Sequence, residues 1–203
     1  MSTLLLIIVG GVLVNNFVMS QFLGICPFLG VSRKLDMAFG MGCAVTFVIT
    51  MAGVITWAIM HLMLEPIAFR AFADEKALNF LQYIIYIMVI ASMVQLVEMY
   101  LKKFFPPLYT ALGVFLPLIT TNCAILGACI YIYMKPETLP FLNALTYAFG
   151  GGLGFTLAIV IMAGIREHLR FSDVPKPLQG AGITLLTAGI LALAFTGFTG
   201  IGN

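Results

Sequence analysis

The sequence predicts an all-α membrane protein: six transmembrane helices in a 3+3 inverted-topology repeat, with the first and fourth helices discontinuous. Three observations predict it. Of the 203 residues, 62% are hydrophobic and 9% are charged, against about 25% charged in a soluble domain. Six charge-poor stretches are long enough to cross about 30 Å of hydrocarbon, which takes about 20 residues at roughly 1.5 Å each. Short motifs recur, in order, in the two halves. Too little charge remains to cover a water-facing surface, so a soluble globule and a disordered chain are excluded. A disulfide-stapled secreted domain is excluded too, and a net charge of +2 is too small for a nucleic-acid partner.

The six stretches are residues 3–32, 37–64, 78–101, 107–134, 141–165 and 178–201. They are solidly apolar, whereas barrel strands are about 10 residues long and alternate. Met1-Ser2-Thr3 lacks the positive start of a signal peptide, so the first stretch reads as a retained span. As one straight helix it would reach about 45 Å, too long for the bilayer without strong tilt. It also carries Asn15-Asn16, Gly24, Pro27 and Gly30. The fourth stretch is charge-free too, with Pro106, Pro107, Gly113, Pro117, Asn122 and Gly127 in or beside it. Pro removes a backbone donor and Gly adds freedom. Two readings fit: long, tilted, kinked helices, or discontinuous helices whose breaks meet at the midplane, buried in protein or lining a cavity.

Orientation follows the basic residues. Arg33, Lys34, Lys102, Lys103, Arg166, Arg170 and Lys176 fall on one side, and Arg70, Lys76 and Lys135 on the other. Seven against three puts the first side in the cytoplasm and both termini outside.

The whole chain, 1–203, reads as one membrane domain with halves 1–101 and 102–203. Cys26-Pro27-Phe28-Leu29-Gly30 aligns with Cys123-Ala124-Ile125-Leu126-Gly127. Ala38-Phe39-Gly40-Met41-Gly42 aligns with Ala148-Phe149-Gly150-Gly151-Gly152, and Met51-Ala52-Gly53 with Met162-Ala163-Gly164. Three spans per half is odd, so the halves cross in opposite directions about a pseudo-two-fold axis in the membrane plane. Of the four cysteines only Cys26 and Cys123 are equivalent; Cys43 and Cys129 read as small buried hydrophobes. No C-x-x-C spacing is present. A thiolate inside lipid needs a cation or cluster. A [2Fe–2S] cluster takes four thiolates, so a symmetric pair calls for two more from a second protein of the same design. Zinc, copper or a metal-free structural pair stays open on the residues alone.

Val14-Asn15-Asn16-Phe17 and the run from Phe22 through Cys26-Pro27-Phe28-Leu29-Gly30 to Arg33-Lys34 resemble the Rnf/Nqr integral membrane family. So do Leu116-Pro117-Leu118-Ile119-Thr120-Thr121-Asn122-Cys123-Ala124, Ile165-Arg166-Glu167 and Ser172-Asp173-Val174-Pro175. Asn15-Asn16 and Cys26-Pro27-Phe28 resemble the ion-translocating ferredoxin:NAD oxidoreductase branch. Phe104-Phe105-Pro106-Pro107-Leu108-Tyr109 and the loop at 65–77 lean toward the sodium-pumping NADH:quinone oxidoreductase branch. The resemblance implies a membrane electron-transfer subunit of an ion pump in a bacterial or archaeal cytoplasmic membrane. It implies pairing with a paralogous membrane subunit, the E component of such complexes, in opposite orientation, beside iron–sulfur and flavin-bearing subunits. Cys26 and Cys123 would supply half the ligands of an intramembrane [2Fe–2S] cluster shared by the pair. A midplane cluster would roughly halve an electron hop of about 30 Å. A non-redox inverted-repeat transporter is the alternative from another class.

Gly24, Asn15, Asn16, Thr121 and Asn122 are candidates for hydrogen bonds around the cluster, or are packing polar groups. Glu98, near the end of the third span, is either an ion-path carboxylate or an interfacial acid facing Lys102-Lys103. Arg166, Glu167 and His168 read as interface anchors or contacts to a soluble subunit, and His61 as interfacial. Gly150-Gly151-Gly152 reads as close helix packing.

Overall fold

The structure is a computed structural model that describes residues 2–59, 61, 75–104, 106, 109–110, 117–134 and 140–198. All regular structure among these residues is helical. Helix α1 (Ser2–Val9) passes into a π-helical turn, Gly10–Val14. The Asn15 amide closes that turn onto the Gly10 carbonyl at 2.6 Å. The chain then leaves the helix and re-enters at α2 (Ile25–Val31). α3 (Leu35–Ile59) and α4 (Glu75–Phe104) follow. The fourth run is a short α5 (Pro117–Thr120), a break at Thr121 and Asn122, and α6 (Cys123–Met134). α7 (Phe141–Leu169) and α8 (Ala181–Thr196) complete the fold. Both of the charge-free runs that carry Pro, Gly and Asn are interrupted.

Among the described residues, three helices are long and apolar enough to cross a membrane: Leu35–Ile59, Tyr83–Phe104 and Phe141–Leu169. Shorter apolar helical stretches are Leu4–Val14, Pro117–Ile132 and Ala181–Thr196. α7 runs past the expected end at residue 165 to Leu169, carrying Arg166 and His168 into its last turn, where cations complement the helix dipole. α8 starts later than expected and spans 16 residues. A 3₁₀ turn (Lys176–Leu178) and Gly180, at φ +91°, take up the residues before it. The loop at 65–77, which bears on orientation, lies largely outside the described residues.

The centre of the fold is the α3–α7 pair. Met41, Val45, Ile49 and Ala52 of α3 and Ala148, Phe155, Ile159 and Met162 of α7 are buried. Such burial stabilises by roughly 2 kcal/mol per side chain where water is the reference; between membrane helices, close contact and hydrogen bonds replace that term. The glycine triplet makes the contact close. A Cβ on Gly150 would lie 3.2 Å from the Ile8 Cα, one on Gly151 would overlap the Phe17 ring, and one on Gly152 would lie 2.8 Å from the Thr46 Cα. Three elements thus approach α7 on one small-residue stretch, as the sequence leads one to expect.

At the middle of the pair, the Thr46 and Thr156 hydroxyls are 2.9 Å apart. Each hydroxyl also lies within hydrogen-bond distance of a carbonyl of its own helix, Thr46 Oγ1 of Gly42 at 2.8 Å and Thr156 Oγ1 of Gly152 at 3.0 Å, so while one donates across the pair the other donates to its own helix. A Cβ on Gly42 would strike Thr156, as one on Gly152 would strike Thr46. The alignment that takes Ala38 to Ala148 also takes Gly42 to Gly152 and Thr46 to Thr156.

Candidate functional site

The first break is built by Asn16, which is fully buried. Its side-chain amide donates to the carbonyls of Val12 (3.0 Å) and Gly154 (2.8 Å). Its Oδ1 accepts from the amides of Val18 (3.0 Å) and Met19 (3.3 Å). A chain leaving a helix inside apolar surroundings strands carbonyls and amides. Asn16 satisfies both kinds at once and ties the break to α7. Asn15, its neighbour, is exposed.

The break ends at Gly24. Phe22 has φ +56° and Gly24 φ +80°, left-handed backbone that costs a residue with a Cβ about 1–2 kcal/mol. Gly24 is buried against the second break: an added Cβ would lie 2.9 Å from both Asn122 Oδ1 and the Phe155 ring. Its amide donates to the Cys123 sulfur at 3.0 Å. Cys26 follows two residues later, so its Cα lies within about 7 Å of the Gly24 Cα. The two breaks therefore meet, and α2 touches α5 as well.

The second break is capped by Asn122, 3% exposed, whose Oδ1 accepts from the Ala124 amide at 3.0 Å. This is an N-cap bond for α6. Asn122 Nδ2 is buried and has no hydrogen-bond partner among the described residues. Thr121 is exposed and donates back to the Pro117 carbonyl at 3.2 Å.

Cys26 and Cys123 are exposed on the chain's surface, and Cys129 is buried. Cys123 is the first residue of α6. Cys43, expected to be buried, is exposed and lines an apolar cavity of about 820 Å³ between α3 and α4.

The geometry thus unites Cys26, Cys123, Gly24 and Asn122. Asn16 stands one position along α7, at Gly154 beside Phe155. Glu98 is elsewhere, half-buried on α4, and accepts a hydrogen bond from the Tyr109 hydroxyl at 3.4 Å. His61 stacks on Trp57, with ring centroids 4.1 Å apart. Arg166 binds the end of α2, donating to the Leu29 carbonyl and the Ser32 hydroxyl at 2.8 Å each. Phe155 and Gly154 were not foreseen, because only the folded contact shows which residues of α7 receive the breaks. Thr156 was within reach of the alignment.

The donor set fits half of a [2Fe–2S] centre. Two exposed cysteines belong to the two breaks, the sulfur of Cys123 already accepts a backbone N–H, and the buried Asn122 amide donor has no partner among the described residues. No cluster of three or more His, Cys, Asp or Glu that could close a metal site within the chain occurs among the described residues.

A family model described as "Rnf-Nqr subunit, membrane protein" matches residues 4–202. The A component of the ion-translocating oxidoreductase complex of Syntrophotalea carbinolica is 52% identical over 201 residues, covering 99% of this chain and 98% of the relative. The A component of the Na⁺-translocating ferredoxin:NAD⁺ oxidoreductase complex of Acetobacterium woodii is 52% identical over 199 residues, 98% of each chain. The corresponding A component from Vibrio vulnificus is 45% identical over 201 residues, 99% of each. A match over nearly every residue, on a helical chain with several membrane-length apolar helices, places this multi-pass membrane protein in the Rnf-Nqr family.

Proposed function

We propose that this chain is a membrane electron-transfer subunit of an ion-translocating ferredoxin:NAD oxidoreductase complex, the kind of complex named for its relatives. In this reading Cys26 and Cys123 hold one side of a [2Fe–2S] centre, and a paralogous membrane protein in opposite orientation holds the other. The observation that carries it is the Gly24 amide on the Cys123 sulfur, which joins the two breaks beside two exposed cysteines, Cys123 itself and Cys26 two residues after Gly24. When bound, such a centre supplies one-electron chemistry. The chain's own part is positional and electrostatic. The Gly24 N–H holds the Cys123 sulfur in place. Asn122 Nδ2 offers a further donor. Buried Phe155 keeps water from the back of the junction.

The reciprocal contacts of Gly42 and Thr46 with Gly152 and Thr156 support the 3+3 inverted repeat, since a two-fold axis brings equivalent positions together. The seven-to-three distribution of basic residues supports termini on the outer side. Glu98 is proposed as an ion-path carboxylate.

The test is iron and acid-labile sulfide in the chain purified with its paralogue, with electron paramagnetic resonance of the reduced pair. Iron is expected only when both proteins are present, and Cys26→Ala or Cys123→Ala is expected to abolish the signal. A full-intensity iron–sulfur signal in Cys26→Ala would refute the assignment.

A further inference from the structure

A second site lies where α7 ends and α8 begins. A cavity of about 320 Å³ there is lined by Arg33, Arg166 and Arg170, with Leu169, Val174 and Ile183 among its apolar walls. A smaller cavity of about 170 Å³ shares Arg33, Arg166, Gly180 and Thr184 with it. No Asp or Glu lines either. None of the three guanidiniums makes an ion pair with a carboxylate among the described residues.

The arginines are held in place by neutral groups. One nitrogen of Arg166 is fixed by Leu29 and Ser32, and one of Arg170 donates to the Arg33 carbonyl at 2.8 Å. A guanidinium has five N–H donors, so each keeps others for a ligand. The Arg33 guanidinium has no hydrogen-bond partner among the described residues. Three like charges around one cavity repel one another unless an anion sits between them. The geometry also adds the start of α8, where Gly180 offers no side-chain cap to the first amides.

We infer that this cavity binds a phosphate group, supplied by the headgroup of an anionic phospholipid. Guanidinium forks match phosphate oxygens in pairs. The lipid source is favoured by position. The site lies at the ends of two apolar helices, and its walls combine the arginines with Leu169, Val174 and Ile183, so a headgroup and the start of an acyl chain fit together. The site is separate from the cysteine junction and does not depend on the redox assignment.

The test uses the full-length chain, delipidated in neutral detergent, with native mass spectrometry and thermal unfolding. Dioleoyl phosphatidylglycerol, dioleoyl phosphatidylcholine and inorganic phosphate are titrated separately. One phosphatidylglycerol per chain is expected to bind roughly tenfold or more tightly than phosphatidylcholine. Arg33→Gln is expected to weaken it by roughly tenfold, the loss of one charge-assisted contact. Arg33→Lys is expected to retain part of the binding. Because the Arg33 side chain makes no internal bond, the thermal midpoint without lipid serves as the folding control. Saturable, Arg33-dependent binding of inorganic phosphate without lipid preference would uphold the phosphate site and overturn the lipid source. Equal binding of both lipids, unchanged in Arg33→Gln and with no phosphate binding, would overturn the site.

Discussion

Gly24 and Asn16 show how single residues make a break in a membrane helix tolerable. Asn16 uses both donors and its acceptor, so no backbone group it serves is left stranded. Gly24 supplies the left-handed turn and the narrow gap that let one break touch the other. Gly24→Ala is therefore expected to cost about 2 kcal/mol or more, from backbone strain plus the 2.9 Å contacts with Asn122 and Phe155. It should lower the thermal midpoint of the purified chain and, on the proposed reading, the iron content with it. Wild-type stability in Gly24→Ala would contradict the observed conformation. The equivalence of Cys26 and Cys123 was legible in the aligned motifs; their role as cluster ligands is the proposal that the iron measurement tests. The different fates of Asn15 and Asn16 were not legible. Composition cannot say which of two adjacent amides turns inward; that depends on where the π-helical turn leaves the chain.

At the scale of elements, charge-free length foretold both interruptions, since a stretch too long for the bilayer must tilt or break. The π-helical form of Gly10–Val14 and the 3₁₀ turn before α8 were not legible. They are local adjustments to packing against α7 and to the backbone at Gly180. The α3–α7 pairing could have been anticipated, because the aligned motifs fall on those two helices. A double-mutant cycle tests its centre. Thr46→Val and Thr156→Val are each expected to destabilise modestly, with a coupling of about 0.6 kcal/mol, the typical size for side-chain hydrogen bonds between membrane helices. Additive effects would mean that the 2.9 Å contact carries no energy of its own. Each hydroxyl also has a carbonyl of its own helix within reach, so the coupling should stay small.

At the scale of the molecule, the proposed orientation rests on the seven-to-three distribution of basic residues. Ser172→Cys, in the exposed turn after α7, is expected to react with a membrane-impermeant maleimide only after cell membranes are opened. Labelling in intact cells would reverse the orientation. In the assembled complex, Glu98→Gln is expected to leave iron content unchanged and to slow ion transport at least tenfold. Unchanged transport would remove Glu98 from the path. The described residues carry the pairing of the central helices, whereas the number of membrane crossings rests on charge, length and the symmetry of the motifs. At the centre of the pair, each half's glycine is the socket for the other half's threonine. A side chain gained at Gly42 must be met by a loss at Thr156, and one at Gly152 by movement at Thr46. At these four positions, α3 and α7 are bound to change together.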